Sequence, residues 1–522
     1  PRTQVPLAKD KIRHSGEPIA VVVAETRYQA EDAAEQVFVE VEMLPAVVDI
    51  ERALDPQAPL VHDDLPQNLN AHVIQRKGDY AKALKTADVL IKRRFTYDRG
   101  TAAAMENRGI VATWDPRDQE LTIWDTTQAP IPIRNGLAAM LGLSEKQVRV
   151  IAPFIGGGFG PKIMMFYPEE VLIPWIAVRL RRPVKWIEDR EENFFATTQE
   201  RGQVHEAEIA LTRDGKILGV HDVFVHDAGA YAPYGLTVAL NSQCTLLGQY
   251  DVPHYYSEFK SVFTNKPIVT PYRGAGRQHG VFVMERLLDL AARELGMDRV
   301  EIRKRNLIPP DKFPYTNEII YQDFAPLTYD SGNYLPALEK AVELIGYDKF
   351  LQEEQPRLRA EGRHVGIGIV TYVEGTGIGP YEGAKVTVES SGRVSVATGI
   401  GTQGQGVAEH HLAVVGPDLE MAQPDALVDQ VDQLECGRAA QLARRLGLPF
   451  RQAVSVVATV VSVNAGQGVR GGAVDQSANS VTVLLSGLAT RYSCRIVGPL
   501  MTAAASPSLS TVNDGDDSGA VR

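Results

Sequence analysis

Cysteine is scarce in this chain of 522 residues. The three cysteines, Cys244, Cys436 and Cys494, lie far apart, and no two of them form a C-x-x-C pair. Zinc sites, iron–sulfur clusters and redox-active disulfides usually rely on closely spaced cysteines. The sequence therefore predicts none of these centres here, and any electron-transfer cluster that works with this chain must lie in another chain.

Long apolar runs are also missing. One of the strongest, Val171 to Val178, contains Pro174 and falls well short of the ~20 residues that a membrane-spanning helix needs. We therefore expect no membrane insertion and a cytoplasmic protein. The chain begins at Pro1 without a methionine or a charged-then-apolar leader, so we interpret it as cut from a longer protein whose upstream signals are not visible.

Positive charge is in deficit as well. The chain has 54 Lys and Arg against 65 Asp and Glu, which gives a formal net charge of -11. Because nucleic-acid binding depends on clustered Lys and Arg, this balance argues against a nucleic-acid partner. At the usual domain size, the length is enough for roughly three domains.

Residues 407–522 lack much of what a packed core contains. Their only aromatic residues are Phe450 and Tyr492, their only isoleucine is Ile496, and they have no lysine. Domain cores usually need aromatic and branched side chains to bury enough apolar surface. We interpret this segment as an atypical tail that is either out of frame or disordered.

Glycine, by contrast, is concentrated in three short segments. They read GGGFGPK at 156–162, YRGAGR at 272–277 and GTQGQG at 401–406, and we call them the first, second and third glycine loops. Glycine has no Cβ and tolerates positive φ, which suits a concave turn whose N–H groups face an anion. Together the loops predict a site for one large anionic cofactor, although each alone is also typical of a tight turn.

The spacing within the loops argues against two common nucleotide sites. A P-loop requires Gly-Lys followed by Ser or Thr, and a dinucleotide-binding turn requires G-x-G-x-x-G. Pro161 and His279 stand where the first and second loops would need their third glycine, and no glycine-rich stretch ends in Gly-Lys-Ser/Thr. A phosphate or a pyranopterin remains compatible with such turns.

Hydrophobic periodicity predicts a mixture of strands and helices. The predicted strands are 18–24, 37–41, 121–124 and 148–151, and hairpins are predicted to turn at Asp214-Gly215 and Ser391-Gly392. Two predicted helices begin at capping boxes, one at Thr26 with Gln29 and one at Asp298 with Glu301, and a third spans 169–180. A fourth predicted helix ends at Gly296 and buries a core face that consists of Met284, Leu287, Leu288, Ala291 and Leu295. The first glycine loop thus lies between a strand and a helix, where ligands are commonly held.

The loops and their surroundings resemble the molybdenum hydroxylases, the family of xanthine dehydrogenase and aldehyde oxidase. The likeness is carried by GGGFG-x-K, T-x-YRGAGR and G-x-GTQGQG, with TQAP at 127–130 and RNLIP at 305–309. It is dense over 1–406 and is strongest toward the large, molybdopterin-binding subunit of bacterial carbon monoxide dehydrogenase-type enzymes. The α+β fold that it implies has a partial α/β hammerhead-like domain at 1–55, a linker at 56–71, a first molybdopterin-binding domain at 72–320, the start of an incomplete second one at 321–406, and the tail at 407–522.

The resemblance also implies which residues form the site. The metal would be held through the dithiolene of the pterin, with no direct protein ligand. The implied cofactor-binding residues are Gln128, Gly157, Gly158, Phe159, Gly160, Arg273, Gly274, Gln403, Gly404, Gln405 and Gly406. Arg273 would also serve catalysis as a charged donor beside the molybdenum, and Ile163 and Ala275 would contact the substrate. The alternatives are a surface position for Gln128 and a salt bridge for Arg273.

Two positions depart from the family's pattern. Ile163 follows Lys162 where xanthine-oxidising members resemble one another in having a purine-binding glutamate. Gly274 follows Arg273 where carbon monoxide dehydrogenases carry a cysteine that binds copper. These departures argue against a purine and against carbon monoxide, and the lack of a charged anchor favours uncharged aldehydes or aromatic N-heterocycles as substrates.

A third departure concerns catalysis. The family's general base lies in a Gly-x-Gly-Glu-type segment, and residues 407–522 contain no Gly-Glu pair. A change of reading frame near residue 407 would explain both this loss and the altered composition. Glu374 is a candidate substitute carboxylate, although its glycine-rich neighbours favour a tight turn. A chain without its base should not turn over.

We therefore expect the molybdenum-cofactor subunit of a hydroxylase that takes its oxygen from water. The cofactor would be molybdopterin, alone or as the cytosine dinucleotide, with 2Fe–2S and FAD on a small iron–sulfur subunit and a medium flavin subunit, in a dimer of heterotrimers. Three alternatives remain open. They are a non-catalytic truncated product with part of the cofactor site, a carbon monoxide dehydrogenase large subunit proper, and a binding or scaffold protein whose glycine loops are only turns.

Overall fold

The computed structural model describes residues 2–163, 166–375, 384–388, 394–398, 401–404, 454–464 and 480–485. They belong to two compact units. The first contains the described residues up to Glu339 and those between Thr371 and Ser455, and the second contains those in Lys340–Val370 and Val456–Leu485. The tail predicted at 407–522 lies outside the described residues except for two strands.

The α-helices of the described residues are α1 (Arg27–Ala34), α2 (Tyr80–Thr86), α3 (Pro130–Leu141), α4 (Pro168–Leu180), α5 (Arg190–Ala196), α6 (Thr237–Thr245), α7 (Arg277–Leu295), α8 (Arg299–Asn306), α9 (Leu335–Leu344), α10 (Tyr347–Lys349) and α11 (Gln355–Ala360). Side-chain caps start several of them, as predicted at Thr26 for α1 and at Asp298 for α8. No helix within the described part of the chain is both long and apolar enough to cross a membrane.

The strands are β1 (Leu69–Lys77), β2 (Val89–Tyr97), β3 (Gly109–Asp115), β4 (Glu120–Asp125), β5 (Val148–Ile151), β6 (Val184–Ile187), β7 (Gln203–Leu211), β8 (Ile217–Gly229), β9 (His254–Phe263), β10 (Tyr315–Ile320), β11 (Pro326–Tyr329), β12 (Arg363–Val373), β13 (Ala384–Val388), β14 (Val394–Thr398), β15 (Val454–Asn464) and β16 (Ser480–Leu485). This mixture of sheets and helices confirms the predicted α+β class.

The first unit is organised around a five-stranded and a four-stranded sheet. The larger sheet has the order β1-β9-β8-β7-β2, with β8 and β9 parallel and the other neighbours antiparallel. The smaller sheet has the order β5-β4-β3-β6. Both predicted hairpins form, since β7 pairs antiparallel with β8 around Asp214-Gly215 and β13 pairs with β14 on either side of Ser391-Gly392.

The smaller sheet places the first glycine loop. Helix α3 connects β4 to the parallel strand β5, and the loop follows the carboxyl end of β5 and precedes α4, as predicted. A buried cluster that includes Ile123, Leu137 and Ile173 packs the sheet against α3 and α4. Because this core anchors both β5 and α4, the loop between them has two fixed ends.

The larger sheet supports the second glycine loop. Helix α7 follows this loop and ends at Gly296 in the left-handed conformation, as predicted. Of its predicted core face, Met284, Leu287, Leu288 and Ala291 are buried and Leu295 is half-buried. An added Cβ at Gly280 would lie 2.4 Å from the carbonyl oxygen of Ser242, which shows how closely α7 approaches α6.

The strands predicted at 18–24 and 37–41 are wrong for the described structure, where neither segment forms a sheet hydrogen-bond ladder. Both segments are largely exposed, and Phe38 is 87% exposed. Alternating apolar residues favour a strand only where a neighbouring strand supplies hydrogen bonds and cross-strand contacts. Among the described residues, these two segments have no such neighbour.

Candidate functional site

The first glycine loop adopts a conformation that few side chains allow. Gly157 and Gly160 have φ angles of +105° and +108°, and Phe159 between them has φ +55°. A Cβ added at Gly160 would lie 2.1 Å from the carbonyl oxygen of Pro271, which directly precedes the second glycine loop. Glycine is therefore required here because the two loops approach backbone to backbone.

Gln128 is bound to the first loop rather than to solvent. Its Oε1 accepts a hydrogen bond from the N–H of Gly160 at 2.8 Å, and its own N–H donates to the carbonyl oxygen of Lys162 at 2.9 Å. The predicted position of Gln128 beside the loop thus has a structural basis: it lies just before α3, whose first residue is Pro130.

The second loop is joined to the first by a backbone hydrogen bond. The N–H of Arg273 donates to the carbonyl oxygen of Phe159 at 2.8 Å. The Arg273 side chain is exposed, and among the described residues its guanidinium forms no hydrogen bond or ion pair. The predicted alternative of a salt-bridged Arg273 therefore has no support within the described part of the chain.

The third loop meets the first as well. The N–H of Ile155 donates to the carbonyl oxygen of Thr402 at 3.1 Å. A Cβ added at Gly158 would lie 2.1 Å from Oε1 of Gln403 and 2.4 Å from Cδ of Gln128, so these two side chains close over Gly158. Gly404 is exposed with φ +82°, and the predicted site residues Gln405 and Gly406 lie outside the described residues.

Unpaired polar groups collect where the loops meet. Among the described residues, the N–H groups of Gly157, Gly158 and Phe159 have no hydrogen-bond acceptor. Oε1 of Gln403 is buried and also has no partner. Gly157 and Gly158 are buried and Phe159 is half-buried. Since buried backbone N–H groups are nearly always paired, these adjacent unpaired donors indicate a place for an anionic ligand. A phosphate-bearing pterin fits this donor set.

Two residues that shape the second loop escaped the sequence analysis. Glu200 is fully buried and accepts a hydrogen bond from the N–H of Tyr272 at 3.0 Å. Arg201 donates to the carbonyl oxygen of Tyr272 at 2.8 Å. In sequence they are an ordinary Glu-Arg pair between polar neighbours, and no local pattern signals their burial.

Burial dominates the electrostatics around the loops. It raises the pKa of Glu200 to about 7, although the nearby charge of Arg201 opposes this shift. It lowers the pKa of Lys162, whose Nζ donates to the carbonyl oxygen of Glu106 at 2.9 Å. Glu106 in turn accepts a hydrogen bond from the N–H of Gly156. Buried ionisable groups, Lys162 and Glu200, thus form hydrogen bonds at the edges of the first and second loops.

The two predicted substrate-contacting residues lie at different loops. Ile163 ends the short 3-10 turn Pro161–Ile163 that includes the end of the first loop, and Ala275 lies in the second loop with φ +50°. The side-chain amide of Asn241 donates to the carbonyl oxygen of Ala275 at 2.8 Å and to Gln322 at 2.9 Å. Glu374, the candidate substitute base, follows β12. Burial raises the pKa of Tyr321, and the negative charge of Glu374 acts in the same direction.

No group of three or more His, Cys, Asp or Glu side chains in the described residues could hold a metal ion directly.

Three family models match the chain in order. The aldehyde oxidase and xanthine dehydrogenase a/b hammerhead domain matches residues 1–45. Two molybdopterin cofactor-binding domains match residues 61–307 and 340–508. The first of these spans the first and second glycine loops, and the other spans the third.

Similar proteins support the same family. The 6-hydroxypseudooxynicotine dehydrogenase complex subunit gamma of Paenarthrobacter nicotinovorans is 37% identical over 421 residues, which cover 80% of this chain and 52% of that protein. The carbon monoxide dehydrogenase large chain of Hydrogenophaga pseudoflava is 32% identical over 492 residues, covering 88% and 59%. The chain thus spans little more than half the length of these two relatives.

A third relative is covered more completely. The nicotinate dehydrogenase large molybdopterin subunit of Eubacterium barkeri is 30% identical over 345 residues, which cover 66% of this chain and 79% of that protein. Among solved structures, quinoline 2-oxidoreductase from Pseudomonas putida 86 matches with a TM-score of 0.78 and 27% identity, covering 92% of this chain and 72% of that one. The chain belongs to the xanthine dehydrogenase/aldehyde oxidase family of molybdopterin-binding proteins.

Proposed function

We propose that this chain is the cofactor-binding part of a molybdenum hydroxylase, and that its three glycine loops hold a molybdenum–pterin cofactor. The observation that carries this proposal is the row of unpaired N–H groups at Gly157, Gly158 and Phe159 among the described residues. An anionic cofactor would accept these hydrogen bonds without demanding a direct protein ligand to its metal. When bound, it would supply redox and oxygen-transfer chemistry to a substrate carbon.

The residues around the loops would divide the work of binding. Gln128 fixes the first loop through the hydrogen bond that its Oε1 accepts from the N–H of Gly160. Gln403 offers an unpaired carbonyl oxygen that would accept a hydrogen bond from the pterin ring. Arg273 brings a guanidinium with no partner in the described structure, which would donate to the anionic face of the cofactor.

We propose an uncharged aromatic N-heterocycle as the substrate class. Quinoline, which appears in the name of a similar solved structure, is an uncharged aromatic N-heterocycle. Nicotinate, in the name of a similar protein, has an aromatic N-heterocyclic ring that also carries a carboxylate, so the feature that the two share is the ring. The predicted substrate-contacting side chains, Ile163 and Ala275, carry no charge, and the neighbouring Asn241 carries a neutral amide. Without a charged anchor, a site discriminates mainly by shape and apolar contact, which suits a flat neutral ring.

Carbon monoxide is disfavoured by the second loop, despite the similarity to a carbon monoxide dehydrogenase large chain. Gly274 has φ +108°, and an added Cβ would lie 2.2 Å from Oε1 of Gln278. The cysteine that the resemblance places here in carbon monoxide dehydrogenases would therefore require the loop to change shape. The local backbone supports a redox centre without a second metal at this position.

We further propose that binding and turnover are separable in this chain. The cofactor-contacting loops lie before residue 407, whereas residues 407–522 contain no Gly-Glu pair that would supply the family's general base. The chain by itself should hold the cofactor and fail to oxidise substrate. In the intact enzyme, electrons would leave to iron–sulfur and flavin subunits, consistent with a relative that is named as one subunit of a complex.

The experiment that tests this is the cofactor content of the purified chain. We would express it in a host that loads a full-length relative, measure molybdenum by elemental analysis, and measure the pterin by fluorescence after oxidation. We expect close to one molybdenum and one pterin per chain, with no oxidation of quinoline or nicotinate. Absence of both, while the co-expressed relative is loaded, would refute cofactor binding, and turnover by the chain alone would refute the separation of binding from catalysis.

A further inference from the structure

A buried carboxylate, that of Glu200, binds the second glycine loop. Glu200 is 0% exposed, and its Oε2 accepts the N–H of Tyr272 at 3.0 Å. Nε2 of Gln278 lies 3.1 Å and 3.2 Å from its two oxygens. Tyr272 opens the loop and Gln278 lies just beyond it, in the first turn of α7. One carboxylate therefore ties together both ends of the turn that carries Arg273.

Arg201 binds the backbone carbonyl oxygens of the same turn. Its Nη1 donates to the carbonyl oxygen of Tyr272 at 2.8 Å, and its Nη2 lies 3.4 Å from that of Arg273. The guanidinium also stacks over the Tyr272 ring, with 4.3 Å between its carbon and the ring centroid, and it forms an ion pair with Glu200. A planar fork of donors suits this arrangement, because it binds two carbonyl oxygens and one carboxylate at once.

The pair itself is fixed by the backbone. Glu200 and Gly100 exchange two backbone hydrogen bonds, at 2.9 Å and 3.0 Å, and β7 starts three residues after Glu200. Beyond the pair, Arg273 donates its N–H to Phe159 in the first loop. A continuous series of contacts thus runs from the start of the larger sheet, through Glu200 and Arg201, to both glycine loops.

We propose that Glu200 and Arg201 are positioning residues that hold the second loop in its cofactor-binding shape before the cofactor arrives, an inference that rests on the proposed function. Neither side chain is placed to touch the cofactor, since Glu200 is fully buried and both bind the loop's backbone or its flanks. Their role is to order the backbone of Tyr272 and Arg273, so that the entropy cost of fixing this turn is met during folding rather than during binding.

Glu200→Gln tests the proposal with little change of shape, and Glu285→Gln is a matched control. Glu285 is also buried, at 3% exposed, and its carboxylate binds Tyr250 and Arg303 without contacting a glycine loop. In cofactor-free chain above pH 7, where the Glu200 carboxylate is mostly charged, we expect amide hydrogen exchange at 272–278 to rise about tenfold in Glu200→Gln, because charged hydrogen bonds are lost, and to stay unchanged in Glu285→Gln. Molybdenum per chain should fall about fivefold in Glu200→Gln alone.

Arg201→Lys provides a second test that keeps the charge beside Glu200. Lysine has no planar fork, so we expect faster exchange at 272–278 and lower molybdenum content at an unchanged far-ultraviolet spectrum. Unchanged exchange at 272–278 in both Glu200→Gln and Arg201→Lys would overturn the proposal, as would an equal increase in Glu285→Gln. If the wild-type chain holds no molybdenum, the proposed function fails, while the exchange measurement still decides whether the pair orders the loop.

Discussion

Gly158 is the residue at which the site tolerates least change. A Cβ at this position would lie 2.1 Å from Oε1 of Gln403 and 2.4 Å from Cδ of Gln128. We expect Gly158→Ala to displace both side chains and to lower the molybdenum content of the purified chain about tenfold, because two predicted cofactor contacts move together. Elemental analysis of variant and wild type, prepared side by side, measures this.

Gly366→Ala is the matched control for that substitution. Gly366 lies in β12, has no heavy atom within 4 Å of an added Cβ, and has a φ outside the left-handed region. Its molybdenum content should equal that of the wild type. Equal loss of metal in both variants, or no loss in Gly158→Ala, would show that the space over Gly158 has no part in cofactor binding.

At the residue scale, the sequence predicts the site residues that lie in short motifs, but not those whose role depends on contacts with distant parts of the chain. Gln128, Gly158 and Arg273 belong to short segments that resemble a family, and the structure places all three at the junction of the loops. Glu200 belongs to no such segment. Its burial depends on Tyr272 and Gln278, which are more than seventy residues away in sequence, and no local pattern encodes that.

Single elements were predictable where their stabilising contacts are local or periodic. The face of α7 follows from a 3.6-residue period, and the β7–β8 hairpin follows from alternation on either side of Asp214-Gly215. The segments 18–24 and 37–41 also alternate, yet they form no ladder among the described residues. A strand requires a partner strand, and alternation cannot indicate whether one is present.

The larger sheet carries a histidine whose burial predicts a pH effect. His226 on β8 is 4% exposed, and its Nδ1 lies 3.0 Å from Nε2 of Gln203 on β7. Burial lowers the pKa of His226 to about 4, against about 6.5 when unfolded. Its neutral form therefore stabilises the fold above pH 6.5, and this stabilisation is lost as the pH falls from 6.5 through 4. The loss should reach about 3 kcal/mol near pH 4.

Other titratable groups change the stability in the opposite direction. The prediction therefore concerns the difference in free energy of unfolding between the wild type and a His226 variant. Burial raises the pKa values of Asp125 and Glu200 to about 7, and these carboxyl groups favour the fold as the pH falls. We expect the free energy of unfolding of wild type minus that of His226→Gln to decrease between pH 6.5 and 4, as measured by urea titration. A constant difference over this pH range would contradict the burial argument.

At the scale of the whole molecule, the site is an assembly of segments that are far apart in sequence. Two backbone hydrogen bonds join them, one from Ile155 to Thr402 and one from Arg273 to Phe159. The glycine content of the three loops predicted one shared site for an anionic cofactor, and the family resemblance predicted which residues form it. The resemblance could do so because the order of loops along a chain is a property of the fold, which local sequence patterns do not determine.

This assembly predicts that the cofactor stabilises the whole first unit. A ligand that binds three distant loops binds the folded chain and not the unfolded one, so it raises the free energy of unfolding by mass action, by about 2.7 kcal/mol at a hundredfold excess over Kd. We expect the molybdenum-loaded chain to unfold several degrees above the cofactor-free chain in calorimetry. Gly158→Ala prepared in the same way should show no such difference, because its loops cannot close on the cofactor. Identical unfolding temperatures for loaded and cofactor-free wild type would mean that the cofactor does not bind the folded chain in preference to the unfolded one, and would contradict a site assembled from distant loops.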